Sequence, residues 1–299
     1  MASDTPSGAA GLPAGFYGET LGIRLFRLGL RGSQALWPQL AVRAAARLFT
    51  TPLPPKWLHR GAWPEGWRIE PWPFERAGLT LYTPASASED APVALLVHGW
   101  AGHARQLLPL AEALAEHGWR PVVLELPAHG RSAGSRSNLP QFARAIEYVV
   151  QRLQAQGRPV RLLAGHSLGA NAAAYAASRG LPIERLVLLA PPASPRAYTR
   201  YFAQVFGLRE PVRAGLQQHI EQREGVLMHQ FEPRAVGPRI AAPTLVVHDR
   251  GDRINGFADG EAFVRAIAGA RLVATEGLGH RKLLHDASVI ARVVLFAAG

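Results

Sequence analysis

Ser167 stands at the centre of Gly165-His166-Ser167-Leu168-Gly169, a Gly-x-Ser-x-Gly quintet. The apolar run Val160 to Ala164 precedes it, and the alanine-rich stretch Ala170 to Ser178 follows it. The first reads as a buried strand and the second as a helix, so the serine is expected at a sharp strand-to-helix turn. A hydroxyl at that apex strains its own backbone and crowds the residues two before and two after it. Glycine at 165 and 169 removes the side chains that would collide. The helix N-terminus also offers free N–H groups and a positive dipole beneath the oxygen, which suits a developing oxyanion. The chemistry indicated is nucleophilic catalysis. A Gly-rich turn that merely ends a strand is the plainer alternative, and the flanking strand and helix argue against it.

A serine hydroxyl is a weak nucleophile and needs a base held by a third group. In its strand-and-helix context, the quintet resembles the nucleophile elbow of the α/β-hydrolase family, and the likeness extends over about residues 68 to 299. That resemblance implies a chain order of nucleophile, acid and histidine. Thr244 to His248 is followed by Asp249-Arg250-Gly251-Asp252-Arg253-Ile254, and the second acid matches the family's triad position. Asp252 is thus the implied acid, orienting the imidazole and stabilising the imidazolium. Asp249 reads instead as a turn former. Arg271 to Ala274 is followed by Glu276-Gly277-Leu278-Gly279-His280, ending in the Gly-His pair usual in the family. His280 is therefore the implied base. His285 is expected on a final helix over 283–296, with a structural role.

The family's oxyanion donors are backbone N–H groups. His98-Gly99-Trp100 resembles its His-Gly loop, whose next residue supplies one donor while the residue after the nucleophile supplies the other. The resemblance thus implicates Trp100 and Leu168. The Trp100 side chain is expected to line the pocket, with a plain core aromatic as the alternative. Pro127 to Gly134 matches a further family loop, although Glu125 and Leu126 stand where an Asp usually precedes the proline. That loop reads as scaffold, so His129 and Ser132 receive no catalytic role.

These residues need a framework that brings distant loops to one edge. Val93 to Val97, Pro121 to Leu126, Val160 to Ala164, Arg185 to Ala190, Thr244 to His248 and Arg271 to Ala274 are short apolar runs. Ala104 to His117 and Gln141 to Gln156 between them read as helices. Strands that read as continuous apolar runs are covered on both faces, which implies a mostly parallel α/β sheet with helices on both sides. Arg68 to Phe74 and Leu79 to Thr83 are expected to form an antiparallel edge hairpin joined at Ala77-Gly78. The α/β-hydrolase domain is assigned to 67–299, with a short helical lid inserted at about 191–240. In that insertion Tyr198, Tyr201 and Phe202 share one helical face with Val205 and Phe206. They are candidates to roof the site and favour an apolar acyl group, with ordinary packing on the sheet as the alternative.

Residues 1–66 form a basic amphipathic helical extension. No acid lies between Glu19 and Glu65, while Arg24, Arg27, Arg31, Arg43, Arg47, Lys56 and Arg60 do. This segment is expected to pack on the hydrolase core or at a dimer contact. Peripheral adsorption to an anionic membrane is the alternative.

The formal charge is +11, but no base-stacking motif, zinc-finger spacing or basic run accompanies it, so nucleic acid is not an expected partner. The chain has no cysteine, which removes disulfides and a cysteine nucleophile together. Met1 to Gly15 lacks the features of a secretory leader and no apolar run is long enough to span a bilayer, so the expected location is cytoplasmic. No metal-ligand constellation is present in the sequence and no cofactor is expected. The activity implied is cleavage of a carboxylic ester through an acyl-enzyme. Thioester hydrolysis or acyl transfer on the same triad is the alternative, and a non-catalytic binding scaffold is a reading from another class. Oligomeric state is not legible.

Overall fold

The computed structural model describes residues 21–59 and 61–299. The reading of Met1 to Gly15 as leaderless, and the share of Arg60 in the basic stretch, lie outside the described residues. Eight strands form one sheet: β1 (Trp67–Phe74), β2 (Ala77–Pro84), β3 (Val93–Val97), β4 (Arg120–Glu125), β5 (Val160–His166), β6 (Arg185–Leu189), β7 (Thr244–Asp249) and β8 (Arg271–Thr275). Their spatial order is β1-β2-β4-β3-β5-β6-β7-β8. From β4 to β8 all neighbours are parallel, and β2 joins β1 and β4 antiparallel.

Every residue of β3, β4 and β7 is buried, whereas the edge strands β1 and β8 are largely open. The burial follows from two apolar layers. Helices α4 (Leu139–Ala155), α5 (Leu168–Ser178) and α9 (Phe257–Ala266) cover one face through Phe142, Ile146, Ala173 and Phe263. On the other face lie α3 (Leu108–Glu116) and α11 (Ala287–Ala298), which supply Leu110, Leu114, Val289 and Val293. The α/β architecture expected from the apolar runs is the one observed.

Three local expectations need correction. The β1–β2 turn is Glu75-Arg76, with Ala77 and Gly78 already paired in β2. Glycine at 78 serves packing, because a Cβ there would stand 3.3 Å from that of Ala133. The helix expected from Ala104 begins as a 3₁₀ turn over Ala104–Leu107, and α3 starts only at Leu108. The last expected helix is divided: α10 (Gly279–Lys282) is one turn, and α11 begins at Ala287, capped by the Asp286 carboxylate on the Ser288 and Val289 N–H groups. His285 therefore lies between helices and not on one.

The segment after β6 forms α6 (Pro195–Phe206) and α7 (Glu210–Glu224), then a 3₁₀ turn at Met228–Phe231 and α8 (Pro233–Val236). The basic segment forms α1 (Leu21–Leu36) and α2 (Pro38–Phe49). These two helices share a third apolar cluster with α6 and α7, built from Leu30, Ala41, Ala45, Phe202, Phe206 and Leu216. Phe26 meets Phe206 edge-on at 5.8 Å, and Phe49 meets Phe202 edge-on at 5.2 Å. Phe206 is fully buried at the join. Phe206→Ala is expected to cost about 3 kcal/mol and to expose 21–50 to limited proteolysis. Denaturant titration with protease mapping measures both effects.

Candidate functional site

Ser167 links β5 to α5 with φ 54° and ψ −125°, a backbone that a side-chain-bearing residue adopts only when its surroundings force it. The surroundings are close. A Cβ at residue 165 would stand 2.5 Å from the Gly169 carbonyl oxygen, and one at residue 169 would stand 2.3 Å from the His98 carbonyl oxygen. A Cβ at residue 99 would fall 2.7 Å from that of Ser167. The loop after β3 is thereby pressed against the elbow, which sets the backbone leading into Trp100 beside the hydroxyl. Leu168 opens α5, so its N–H belongs to the helix's first turn and has no intrahelical acceptor.

Two histidines clamp that loop from beneath. The Leu126 N–H donates to His98 Nε2 at 3.1 Å, which leaves Nδ1–H to donate to the Gly99 carbonyl at 2.7 Å. The Ala101 N–H donates to His129 Nε2 at 3.0 Å, and His129 Nδ1–H donates to the Pro127 carbonyl at 2.9 Å. Buried Glu125 gathers the Tyr82 hydroxyl and the Arg131 and Ala104 N–H groups, while Ser132 donates to the Glu125 carbonyl. In the loop over 127–134, His129 bonds to backbone, and Ser132 bonds to the Glu125 carbonyl and the Thr80 hydroxyl.

Asp252 comes from the loop after β7 and His280 from α10, the single helical turn that follows β8. His280 Nδ1 stands 2.8 Å from Asp252 Oδ2, with the Asp252 side chain fully enclosed. A carboxylate can only accept, so Nδ1 carries the proton and Nε2 keeps its lone pair. Asp252 Oδ1 accepts from the Ile254 and Asn255 N–H groups at 2.8 and 3.0 Å. Burial alone would raise its pKa. Hydrogen bonds from His248, His280 and Ile254 outweigh burial and hold the carboxyl well below the usual range. Asp249 does different work: it accepts from Gly251 N–H, Thr275 hydroxyl and Leu278 N–H, tying the two loops to each other.

A cleft of about 930 Å³ opens on Ser167 and Leu168 and is otherwise mostly apolar. Trp100, Tyr198, Tyr201 and Phe202, the four side chains singled out for substrate contact, all line it. Phe49 of α2 lines it too, so that helix forms part of the cleft wall. Tyr198 donates to the Asn255 side-chain oxygen, and Asn255 donates onward to the Ala190 carbonyl at 2.7 Å. Burial, reinforced by Asp259 and Asp252, pushes the Tyr198 phenol up, so it remains a neutral donor.

Sequence reasoning missed His166, His248, Asn255 and Phe49. His166 Nε2–H donates to the His280 carbonyl at 2.9 Å, across 114 residues of chain, and the two rings lie 4.7 Å apart. His248 Nε2–H donates to the Asn255 carbonyl at 2.9 Å and stands 3.5 Å from Asp252 Oδ2. The Asp-x-x-Asn spacing from 252 to 255 was the one available signal, since such a turn closes on its own aspartate. Burial and the neighbouring His280 push His166 down from 6.5 to about 3. Between those two values the unfolded chain binds a proton that the folded chain refuses, so stability is complete above 6.5 and falls as pH drops toward 3. The melting temperature is expected to decline across that window, and His166→Asn, which does not titrate, is expected to make the decline shallower.

A family model described as "Alpha/beta hydrolase family" matches residues 94–294. A pimeloyl-[acyl-carrier protein] methyl ester esterase of Xanthomonas axonopodis pv. citri is 25% identical over 250 residues, covering 68% of this chain and 93% of that protein. Among solved structures, an esterase of Pyrococcus furiosus superposes with a TM-score of 0.61 at 18% identity, covering 80% of this chain and 94% of the other. A thioesterase domain from the curacin biosynthetic pathway superposes with a TM-score of 0.56 at 22% identity, covering 78% and 99%. With the elbow, the paired loops after β7 and β8 and a match over two thirds of its length, the chain belongs to the alpha/beta hydrolase family.

Proposed function

We propose that this hydrolase cleaves a carboxylic ester of an apolar acid through an acyl-enzyme on Ser167. One observation carries the reading: Asp252 holds His280 Nδ1–H at 2.8 Å, leaving the other ring nitrogen to act as a base, while His166, next to Ser167 in the elbow, donates to the His280 carbonyl at 2.9 Å. Ser167 Oγ attacks the carbonyl carbon and gives its proton to His280 Nε2. The tetrahedral oxyanion accepts from the Trp100 and Leu168 N–H groups. The imidazolium, stabilised by Asp252, then protonates the departing alcohol. Water, deprotonated by His280, attacks the ester on Ser167, and His280 returns that proton to Ser167 Oγ as the acid is released. No proton is transferred to Asp252 at any step.

Trp100, Tyr201 and Phe202 would hold the acyl group, because their aromatic side chains line a mostly apolar wall. The Xanthomonas relative is named for cleaving a methyl ester, which favours an oxygen ester over a thioester here. Thioester hydrolysis and acyl transfer would use the same groups with another leaving group or acceptor.

p-Nitrophenyl esters from acetate to palmitate test the proposal. Wild type should hydrolyse the octanoate at least about tenfold better in kcat/KM than the acetate, since each buried methylene contributes about 0.8 kcal/mol. Ser167→Ala should lower kcat by about 10⁴-fold or more. Equal rates in wild type and Ser167→Ala would refute the assignment. Asp252→Asn should cost about 10⁴-fold by reversing the His280 tautomer. Asp249→Asn should act mainly on stability, read as a lowered melting temperature with kcat within about tenfold of wild type.

A further inference from the structure

The outer face of α1 is as apolar as its inner face. Phe26, Leu30 and Gln34 turn toward α6 and the loop after it. On the opposite side Leu25, Leu28 and Leu36 lie at helical spacing with Gly29 and Gly32 between them, and the stripe runs over the corner into Trp37 and Leu40 of α2. Their exposures run from 57% for Leu40 to 68% for Leu36. Among the described residues ten large hydrophobic side chains are exposed, and seven of them fall between Leu25 and Leu58. Exposure this concentrated marks a contact surface, whereas scattered exposure needs no explanation.

The charge beside this stripe has one sign. Arg31, Arg43 and Arg47 are exposed on the same helix pair, and no acid occurs from residue 20 to residue 64. Arg43 and Arg47 also line a polar basin of about 310 Å³ together with Arg136, His219 and Arg223. Its single acid, Glu224, is already engaged by Arg144 at 3.0 Å, Arg223 at 3.4 Å and Asn138 at 2.8 Å. The basin adjoins the acyl cleft, sharing Asn138 and Ile220 with its lining. Cations around such a hollow suit the phosphate oxygens of a lipid headgroup.

We propose that α1 and α2 seat the enzyme on an anionic membrane surface, with the Leu25–Leu40 stripe in the acyl boundary and the Arg43/Arg47 basin on headgroup phosphate. An amphipathic helix with leucine and tryptophan on one side and arginine beside them lies in the interface plane and gains from both contacts. Charge decides between the two candidate occupants. A second copy of this chain, with formal charge +11 and the same basic face, would set arginine against arginine across a two-fold contact. An anionic bilayer offers the complement. Seating here also brings the cleft wall at Phe49 to the membrane, since α2 carries both Phe49 and the two arginines.

Vesicle co-sedimentation of the full chain tests this without reference to catalysis. Wild type is expected to pellet with phosphatidylglycerol-containing vesicles, to stay in solution with pure phosphatidylcholine, and to be released by high salt. Leu25→Glu/Leu28→Glu/Leu36→Glu is expected to abolish pelleting while keeping the wild-type melting temperature, because the three side chains are exposed. Arg43→Ala/Arg47→Ala is expected to weaken binding roughly 25-fold, about fivefold per charge removed. Equal pelleting on neutral vesicles, no pelleting at all, or unchanged pelleting of the leucine variant would each overturn the proposal. So would a concentration-dependent dimer that the leucine substitutions dissociate, which would make a second copy the occupant.

Discussion

Backbone pressed against backbone at the elbow is the constraint on which the rest of the structure depends. Ser167 keeps φ 54° because β5 delivers it, α5 departs from it, and the loop after β3 closes over it with no room for a Cβ at residues 99, 165 or 169. A bare turn would relax. Here the Gly169 and His98 carbonyls crowd the positions on either side of the serine, and the Ser167 N–H is held by the Leu189 carbonyl at 2.8 Å. Strain of this kind costs on the order of 1–3 kcal/mol, which the buried parallel strands on either side readily hold. One packing arrangement thus turns Ser167 toward the cleft and brings the loop after β3 against it.

The polar groups around the site form a hierarchy. Asp252 divides its two oxygens, one toward His280 and one toward the turn at Ile254 and Asn255, so the acid is fixed before it orients anything. His248 and His166 hold these partners from below and both donate to backbone carbonyls. His166 stays neutral through burial, which keeps a second positive charge away from His280 when that ring takes a proton. His98 and His129 play the equivalent part for the loop after β3. Five histidines therefore surround the serine, and four of them are committed to backbone.

How much of this was legible depended on range. The Ser167 elbow was readable because the demand for glycine is local, within two residues either side. The segments bearing Asp252 and His280 were readable because each follows an apolar strand, and resemblance then chose Asp252 over Asp249. Three of the four candidate lining residues, Tyr198, Tyr201 and Phe202, rest on helical spacing, which a 12-residue amphipathic helix displays openly, and Trp100 on its place after His98-Gly99. Contacts that join distant segments were not readable: Phe49 against Phe202, His166 under the His280 carbonyl, Asn255 on Tyr198. Nothing near Phe49 in the chain announces that it borders the cleft. Element ends failed where one residue had two uses, as at Gly78, whose glycine meets a packing demand and not a turn.

The N-terminal pair joins the helices around the cleft. α1 and α2 share an apolar core with α6 and α7, and α2 adds Phe49 to the cleft wall beside side chains of α6 and Ile220 of α7. A fluorophosphonate probe followed by peptide mass mapping tests whether Ser167 is the activated nucleophile. One phosphonyl adduct per chain is expected, located on Ser167 and lost in His280→Ala. Absence of an adduct, or an adduct on any other residue, would contradict that role.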